Sequence, residues 1–418
     1  MVEYMTGMDI SSSKVCMVVG KLDKQNNLQI DGVTSVSNSG LSKGLVIDSE
    51  VTTEAVKKCI KKIESIVNFR PKEVYLSIPS TMCRFEEEIK YITSSEDNGE
   101  ILKKQVAEFV ETAKIRTLPP NEIVYDVIPH VYSISENIEE NSNNKNKFKL
   151  EIKCAILKLD KLNELTKCIE ASGINIKGVI LQPICNFNAA IRGNDKKLST
   201  AIIDVGFDIV EVSVFIEGTL CHFAVIPFGG STITRDISYC LKIPIEEAER
   251  LKIKYCSAVR HLQKKFENNE DSTIKQDSLT VDYKMMKEIV DARIREMLGF
   301  ICDELMDSGG YEKVSNIVFV GGGLSSIDGV RELGNEIFKK PCSIATSKYI
   351  GASNPIYCNA VGLLEEVAGQ MIKESNNKSS MKDSSSLQQD ELEDFENINS
   401  ENSIVSRIRN FFAGFLKN

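Results

Sequence analysis

Apolar residues at the start of the chain recur at two different spacings. "EYMTGMDI", "SKVCMVVGKL" and, after the polar turn "DKQNN", "LQIDGVTSV" have strand composition and predict a meander over roughly the first 35 residues. "DSEVTTEAVKKCIKKIESIVN" changes to helical spacing: Asp48 or Ser49 is placed to cap it, and Val51, Ala55, Cys59, Ile63 and Ile66 share one face. "KEVYLSIPS" returns to an apolar strand, so the order strand-strand-strand-helix-strand predicts an α/β fold.

Residues from about 84 to 160 break this pattern with a charged helix "ILKKQVAEFVETAKI", a Pro119-Pro120 stop, a polar loop "ENIEENSNNKNK" and the strand "FKLEIKCAIL". They read as an inserted subdomain, with a loop that has little to bury. A helix "KLNELTKCIEASG" ending at Gly173, a strand "KGVILQP" and a helix "ICNFNAAIRG" follow. "IIDVGFDIVEVSVF" then runs apolar into Asp204, turns at Gly206 and alternates outward as a second strand. It parallels "MDISSSKVCMVV", about 195 residues earlier: apolar residue, Asp, apolar residue, small-residue turn, outgoing strand. The repeat predicts two similar domains whose hairpins face each other across a phosphate site, one aspartate from each side. "NIVFVGGGLSSIDGVRELGNEIF" adds a buried strand, Asn316 to Val320, that runs into Gly321, Gly322 and Gly323 before a helix after Ser325 or Ser326. Three glycines let backbone approach a flat ligand closely.

The polar pattern changes again near the end. From Lys373 the run "KESNNKSSMKDSSSLQQDELEDFENINSEN" has almost nothing to bury, which predicts a flexible linker over 373–403. In the closing segment 404–418, Ile404, Val405, Ile408, Phe411, Phe412, Phe415 and Leu416 fall within about 140° of a helix. Arg407 and Lys417 lie opposite or beside that arc, Arg409 lies at its edge, and Ser403 is placed to cap. A cationic amphipathic helix on a polar leash has the form of an interfacial anchor for anionic membrane lipid, reversible in one copy and firm when several copies are held together.

Length and composition narrow the classes. A chain of 418 residues with 42% hydrophobic content should make two or three domains, and a net charge of −9 spread over a mixed surface points away from nucleic acid. The first residues lack the basic start and apolar core of a secretory signal, and no run approaches ~18 apolar residues, so a cytosolic chain is expected. Its 12 cysteines stand singly with no CxxC pair, giving neither a zinc spacing nor a disulfide framework; they read as small buried hydrophobes. His130, His222 and His261 are far apart and support no nucleophilic triad.

The order of parts carries a resemblance. The hairpin with Asp9, the insertion, Gln182 after a strand, the hairpin with Asp204 and the turn at Gly321 together resemble the actin-like ATPase superfamily. Within it, "GLSKGLVID", "VIPFGGSTITRDISYCLKIPIEEAERLKIKYC" and "NPIYCNAVGLL" are similar to segments of the FtsA family of bacterial cell-division proteins. The resemblance implies an actin-like (ribonuclease H-like) two-domain fold: domain 1 over 1–195 with a family-specific subdomain 1C at about 84–160, and domain 2 over 196–372 with subdomain 2B at about 243–310. A closing helix at about 355–372 would pack back on domain 1, and 404–418 would be the membrane-targeting helix. It implies ATP with Mg²⁺ as cofactors. Asp9 and Asp204 would face the phosphates and, through water, the metal; Ser12, Ser13 and Lys14 would line the first phosphate loop, and Gly206, Gly229 and Gly230 would belong to the nucleotide site. Gln182 would position water, Glu249 and Lys252 would flank the adenosine, and Gly321, Gly322 and Gly323 would form its loop. The implied partners are FtsZ, touched by Arg293 and Glu296, further copies of the chain, and other division proteins, at the cytoplasmic face of the cell membrane at the division site.

Two departures weaken the phosphate grip. Ser11 stands where the family has glycine, and its Asp-x-Gly-Gly-Gly-Thr-Thr becomes Asp204-Val205-Gly206-Phe207-Asp208-Ile209-Val210. An added charge at ~4 Å costs about 1 kcal/mol in water and ~4 at an effective dielectric of 20, and each lost hydroxyl donor on the order of 1 kcal/mol. Weak or absent ATP hydrolysis is therefore expected. Two alternatives fit less of the chain: a PilM-like pilus-assembly adaptor, and a small-molecule kinase of the same superfamily, which would need intact phosphate loops and no anchor.

Overall fold

In the computed structural model, which describes residues 3–94, 99–134, 146–256, 273–276, 279–324 and 327–382, the first strands form the expected antiparallel meander. They are β1 (Tyr4–Ile10), β2 (Lys14–Leu22) and β3 (Leu28–Ser37). Met8, Ile10, Val15 and Met17 enter one core, and Met5, Cys16 and Val18 enter another on the opposite side. Burial on both faces explains why these strands read as continuous apolar runs. A short hairpin, β4 (Leu41–Ser42) and β5 (Leu45–Val46), leads to α1 (Ser49–Val67), capped by the Asp48 side chain, which accepts from the Val51 amide at 3.0 Å. The buried face of α1 is Thr52, Ala55, Val56, Cys59, Ile60 and Ile63, while Val51 and Ile66 are exposed. The stripe is thus rotated from the expected one, because Val56 and Ile60 extend the same helical period on the other side of Cys59.

β6 (Glu73–Ile78) runs parallel to β1, and β10 (Asn175–Leu181) runs parallel to β6, completing the order β10-β6-β1-β2-β3. Between β6 and β10 lies the insertion: β7 (Cys83–Ser94), α2 (Gly99–Lys114), β8 (Glu122–Ile134) and β9 (Asn146–Lys158), an antiparallel sheet in the order β7-β9-β8 with its own small core. Sequence reasoning finds β9 and misses β7 and β8. In β7 three successive glutamates hide the alternation, although the sheet neutralises them: Arg84 and Arg116 bind Glu86, and Lys153 meets Glu87 at 2.9 Å. α3 (Leu159–Glu170) returns the chain to the first sheet, and α4 (Gln182–Ala190) follows β10.

The second half repeats the first. β11 (Thr200–Val205), β12 (Val210–Ile216) and β13 (Thr219–Ile226) form a meander, and the parallel strands β16 (Asn316–Val320) and β17 (Cys342–Ile344) extend it in the order β13-β12-β11-β16-β17. This half is completed by α5 (Gly230–Leu241), α6 (Ile245–Tyr255), a hairpin of β14 (Thr273–Gln276) and β15 (Leu279–Asp282), α7 (Tyr283–Asp307) and α8 (Val330–Phe338). The halves meet where Phe187 of α4 stacks on Phe215 of β12, ring centroids 4.2 Å apart.

The last helix, α9 (Cys358–Lys382), packs on α4 and on β1, β2 and β6 of the first half. Ala360, Val361, Leu363 and Leu364 bury against Met5, Cys16 and Val18. α9 continues to Lys382, so the first part of the segment read as linker is helical; a helix already anchored by packing extends at little cost. Ser325, Ser326, His261 and the anchor segment 404–418 lie outside the described residues. All cysteines but Cys240 are buried, and His222 meets Glu304 at 3.0 Å. Among the described residues no helix is long and apolar enough to cross a membrane.

Gly362 sits where α9 crosses α4, and an added Cβ would overlap the Cys185 carbonyl oxygen. Gly362→Ala should therefore lower the stability measured by urea unfolding by about 1–3 kcal/mol or more, as overpacking does; an unchanged unfolding midpoint would show that the two helices can separate freely.

Candidate functional site

Because the two halves share a topology, the ends of β1 and β11 come together at one seam, and the residues around them enclose a cleft of about 470 Å³. Asp9 and Asp204 both lie on its wall, 2% and 9% exposed. Asp9 Oδ1 accepts from Ser77 Oγ of β6 at 2.6 Å and from Gln182 Nε2 at the start of α4 at 2.9 Å. Asp204 Oδ2 accepts from Asn186 Nδ2 of α4 at 2.8 Å and from Asn359 Nδ2 of α9 at 3.1 Å. Glu211, opposite Asp204 in the hairpin register, reaches across the seam, where its Oε1 accepts from the Ser80 amide at 2.6 Å. Each aspartate is thus held by neutral donors through one oxygen, a geometry that fixes position without cancelling charge.

The turn after Asp204 is bonded into its surroundings. The Gly206 amide donates to Ile209 O at 2.9 Å, the Gly230 amide to Gly206 O at 2.9 Å, the Ser231 amide to Phe207 O at 2.8 Å and the Gly323 amide to Val205 O at 2.7 Å. These four amides are spent inside the protein. The glycine turn has the same purpose: Gly321 has a φ of +84°, a Cβ on it would strike Asp204 Oδ1, and one on Gly323 would strike Gly206 O. Phe207 stays on the cleft wall, 37% exposed. Asp208 accepts from Ser231 Oγ at 3.1 Å, and Arg235 donates to that same hydroxyl at 2.9 Å, which ties the extra acid to the first turn of α5.

Ser12, Ser13 and Lys14 line the cleft with Gly206, Gly230, Glu249, Lys252 and the three glycines 321–323, whereas Gly229 is not on the wall and serves as N-cap of α5. Lys252 is 3% exposed and committed: it donates to Gly230 O at 3.0 Å and Thr234 Oγ1 at 2.9 Å and pairs with Glu249 at 2.7 Å. Sequence reasoning missed Ser77, Glu211, Asn186 and Asn359. Asn186 carried a signal, lying one helical turn after Gln182; Asn359, more than 150 residues from its partner Asp204, carried none.

A family model described as Cell division protein FtsA matches residues 201–362. Curated relatives extend the match across both halves. The Cell division protein FtsA of Bacillus subtilis (strain 168) is 29% identical over 368 residues, 87% of this chain and 83% of that protein. That of Neisseria meningitidis serogroup B is 26% identical over 86% of this chain and 89% of that protein. The chain belongs to the FtsA family. Its role is accordingly that of an actin-like cell-division protein. Solved structures agree on the fold: a PilM-PilN type IV pilus biogenesis complex aligns with a TM-score of 0.57 at 11% identity over 87% of this chain and 98% of that one. MreB5 of Spiroplasma citri bound to ADP aligns with a TM-score of 0.51 at 13% identity over 91% and 98%.

In this FtsA-family chain the charge balance of the cleft is uneven. Asp9, Asp204, Asp208, Glu211 and Glu249 line it against Lys14 and Lys252 alone. Burial raises the Asp204 carboxyl above its usual range, opposed by the Asn186 hydrogen bond. Burial, then the charge of Asp204, pushes Glu211 up to about 8. Among the described residues no three His, Cys, Asp or Glu side chains converge on one metal position. The site does suit a hydrated cation: Asn186 Oδ1 and Asn359 Oδ1 are buried acceptors with no hydrogen-bond partner among the described residues, and a metal-bound water is a donor. Away from the cleft, Arg293 binds both Asp236 of α5 and Glu296, which stands one turn on along α7.

The native state keeps the Glu211 proton to higher pH than the unfolded chain, so this group costs stability as pH rises from about 4.5 through about 8. Glu211→Gln keeps the acceptor for Ser80 and removes the titration. Its stability relative to wild type, measured by denaturant unfolding, should increase between about pH 5 and about pH 9; a constant difference would sink this reading.

Proposed function

We propose that this protein ties FtsZ filaments to the inner face of the cytoplasmic membrane at the division site, polymerising or clustering there, with a cleft that binds Mg-ATP weakly and turns it over little or not at all. The observation that carries the tether is the juxtaposition, in a chain related to FtsA over both halves, of a polar run and the amphipathic segment 404–418. Seven apolar residues, Ile404, Val405, Ile408, Phe411, Phe412, Phe415 and Leu416, with Arg407, Arg409 and Lys417 beside them, suit the boundary between anionic headgroups and acyl chains. One short face of this kind binds reversibly, so stable attachment favours an assembly that presents many copies.

The weak grip on phosphate follows from the turn at Gly206. Its amide is used within the hairpin, Phe207 and Asp208 stand on the wall, and the wall lysine Lys252 is already paired. When bound, Mg²⁺ would neutralise phosphate charge; Asp9, Asp204 and Gln182 would hold its waters, and Lys14 would face the phosphates. On α7, an acidic segment of FtsZ would exchange with Asp236 or Glu296 for Arg293, since both bonds to that guanidinium lie at least partly open to solvent.

Co-sedimentation with vesicles containing anionic lipid tests the tether: the full chain should pellet, and a chain ending at residue 403 should stay in solution. If both stay in solution, the tether is wrong. For the cleft, Mg-ATP should bind no tighter than a few micromolar, and Asp208→Gly should tighten it about fivefold, the equivalent of ~1 kcal/mol for one screened charge. Tight binding by the unaltered chain would overturn the account of the turn.

A further inference from the structure

In the sheet of the insertion, ordered β7-β9-β8, β7 is an edge, and among the described residues no further strand pairs with it. An edge of this kind presents a row of backbone N–H and C=O groups ready to pair. The two faces of β7 differ. Glu86, Glu88 and Lys90 lie on the side of α2: Arg116, just beyond that helix, binds Glu86 and meets Glu88 at 2.7 Å, and Lys90 stands 5.5 Å from the centre of the Phe109 ring. Alternation sets Phe85, Glu87, Ile89 and Tyr91 on the opposite side. There Phe85 is covered by the second half, its ring 4.0 Å from that of Phe223, while farther out Ile89 is 51% and Tyr91 70% exposed.

Three successive glutamates would ordinarily guard such an edge against pairing. Here the charges select one register instead. When a strand pairs antiparallel with a second copy of itself about a two-fold axis, residues of the same face stand opposite one another. With the axis at Ile89, Ile89 faces Ile89, Lys90 of each copy faces Glu88 of the other, and Tyr91 of each faces Glu87 and lies diagonal to Ile89 of the other. An axis one residue to either side sets Glu88 against Glu88 or Lys90 against Lys90, and like charges directly opposite are destabilising.

We propose that β7 is a self-docking edge, where two copies of this chain join antiparallel along residues 87–91, in register at Ile89, so that two three-stranded sheets become one. The charge pattern around the axis is its own complement, which favours a second copy over an unrelated strand. Because β7 leaves the first half at Cys83, antiparallel pairing puts the two bodies at opposite ends of the shared sheet. The contact is isologous and closes on itself, so it links two chains without propagating a filament. It rests on the reading above that copies of the chain cluster, and gives that clustering a surface separate from the cleft and the tail.

The test uses the full chain without lipid in a Cys240→Ser background, which removes the exposed thiol. Under mild oxidant Ile89→Cys should form a reducible dimer. Glu87→Cys and Tyr91→Cys should each fail alone, being displaced about 13 Å along the strand from their own counterparts at ~3.3 Å per residue, and should link when mixed. In sedimentation, Lys90→Glu and Glu88→Lys should each weaken self-association about fivefold or more, and an equal mixture of the two should restore it. Should Glu88→Lys melt lower for want of its bond to Arg116, the cysteine variants decide alone. Equal cross-linking at 87, 89 and 91 overturns the proposal, as does a product that joins Ile89→Cys to a cysteine outside β7, identified by mass spectrometry. Chains whose clustering is unaltered by all these variants overturn it and leave the clustering in place; wild-type chains that stay monomeric at every concentration overturn both.

Discussion

Two aspartates buried on either side of one seam constrain everything around them, because charges withdrawn from water must be stabilised where they stand. At Asp9 and Asp204 that stabilisation comes from Ser77, Gln182, Asn186 and Asn359, all neutral donors. An arginine or lysine in their place would hold the carboxylates as well, but it would also cancel their charge and close the site to a cation. Neutral donors leave the charge intact and the geometry fixed, which is the condition a binding cleft needs.

The same requirement links distant parts of the chain. Asn359 lies on α9, whose apolar face is buried on the first sheet, yet its carboxamide serves an aspartate of the second. Glu211 does the reverse, reaching from the second sheet to the Ser80 amide of the first. The two halves are therefore joined at their cleft by polar contacts as well as by the stacking of Phe187 on Phe215. α9, which carries Asn359, is also the helix that precedes the tail, so one element joins the cleft to the part of the chain that leads to the proposed membrane anchor.

Glycine at 321 and 323 has a structural reason that precedes any ligand. Both residues press against the backbone or carboxylate of the Asp204 hairpin, and only Gly322 is free of that demand from the hairpin. At Phe207 and Asp208 the hairpin tip is held by bonds to α5.

Much of the fold was legible because burial leaves a simple imprint on composition. β1, β2, β11 and β16 are buried on both faces and read as apolar runs, and the repeated Asp-turn pattern located Asp9, Asp204 and the seam between them. Gln182 and the glycine turn were found from their places after β10 and β16. β7 and β8 were not found; in β7 the reason is that glutamates whose charge is met by a neighbouring strand, as Glu87 is by Lys153, look like a solvated segment in one dimension. Asn186, Asn359, Glu211 and Ser77 escaped for a deeper reason: an asparagine, glutamate or serine in isolation has many uses, and only the packing of α4, α9 and β6 around the seam selects one. The sequence by itself determined the repeat, the two acids and the polar-to-amphipathic change at the tail, since these depend on residue type and spacing. The tertiary structure alone decided how those acids are stabilised and which amides are spent, since a hydrogen bond exists only between atoms the fold has brought together.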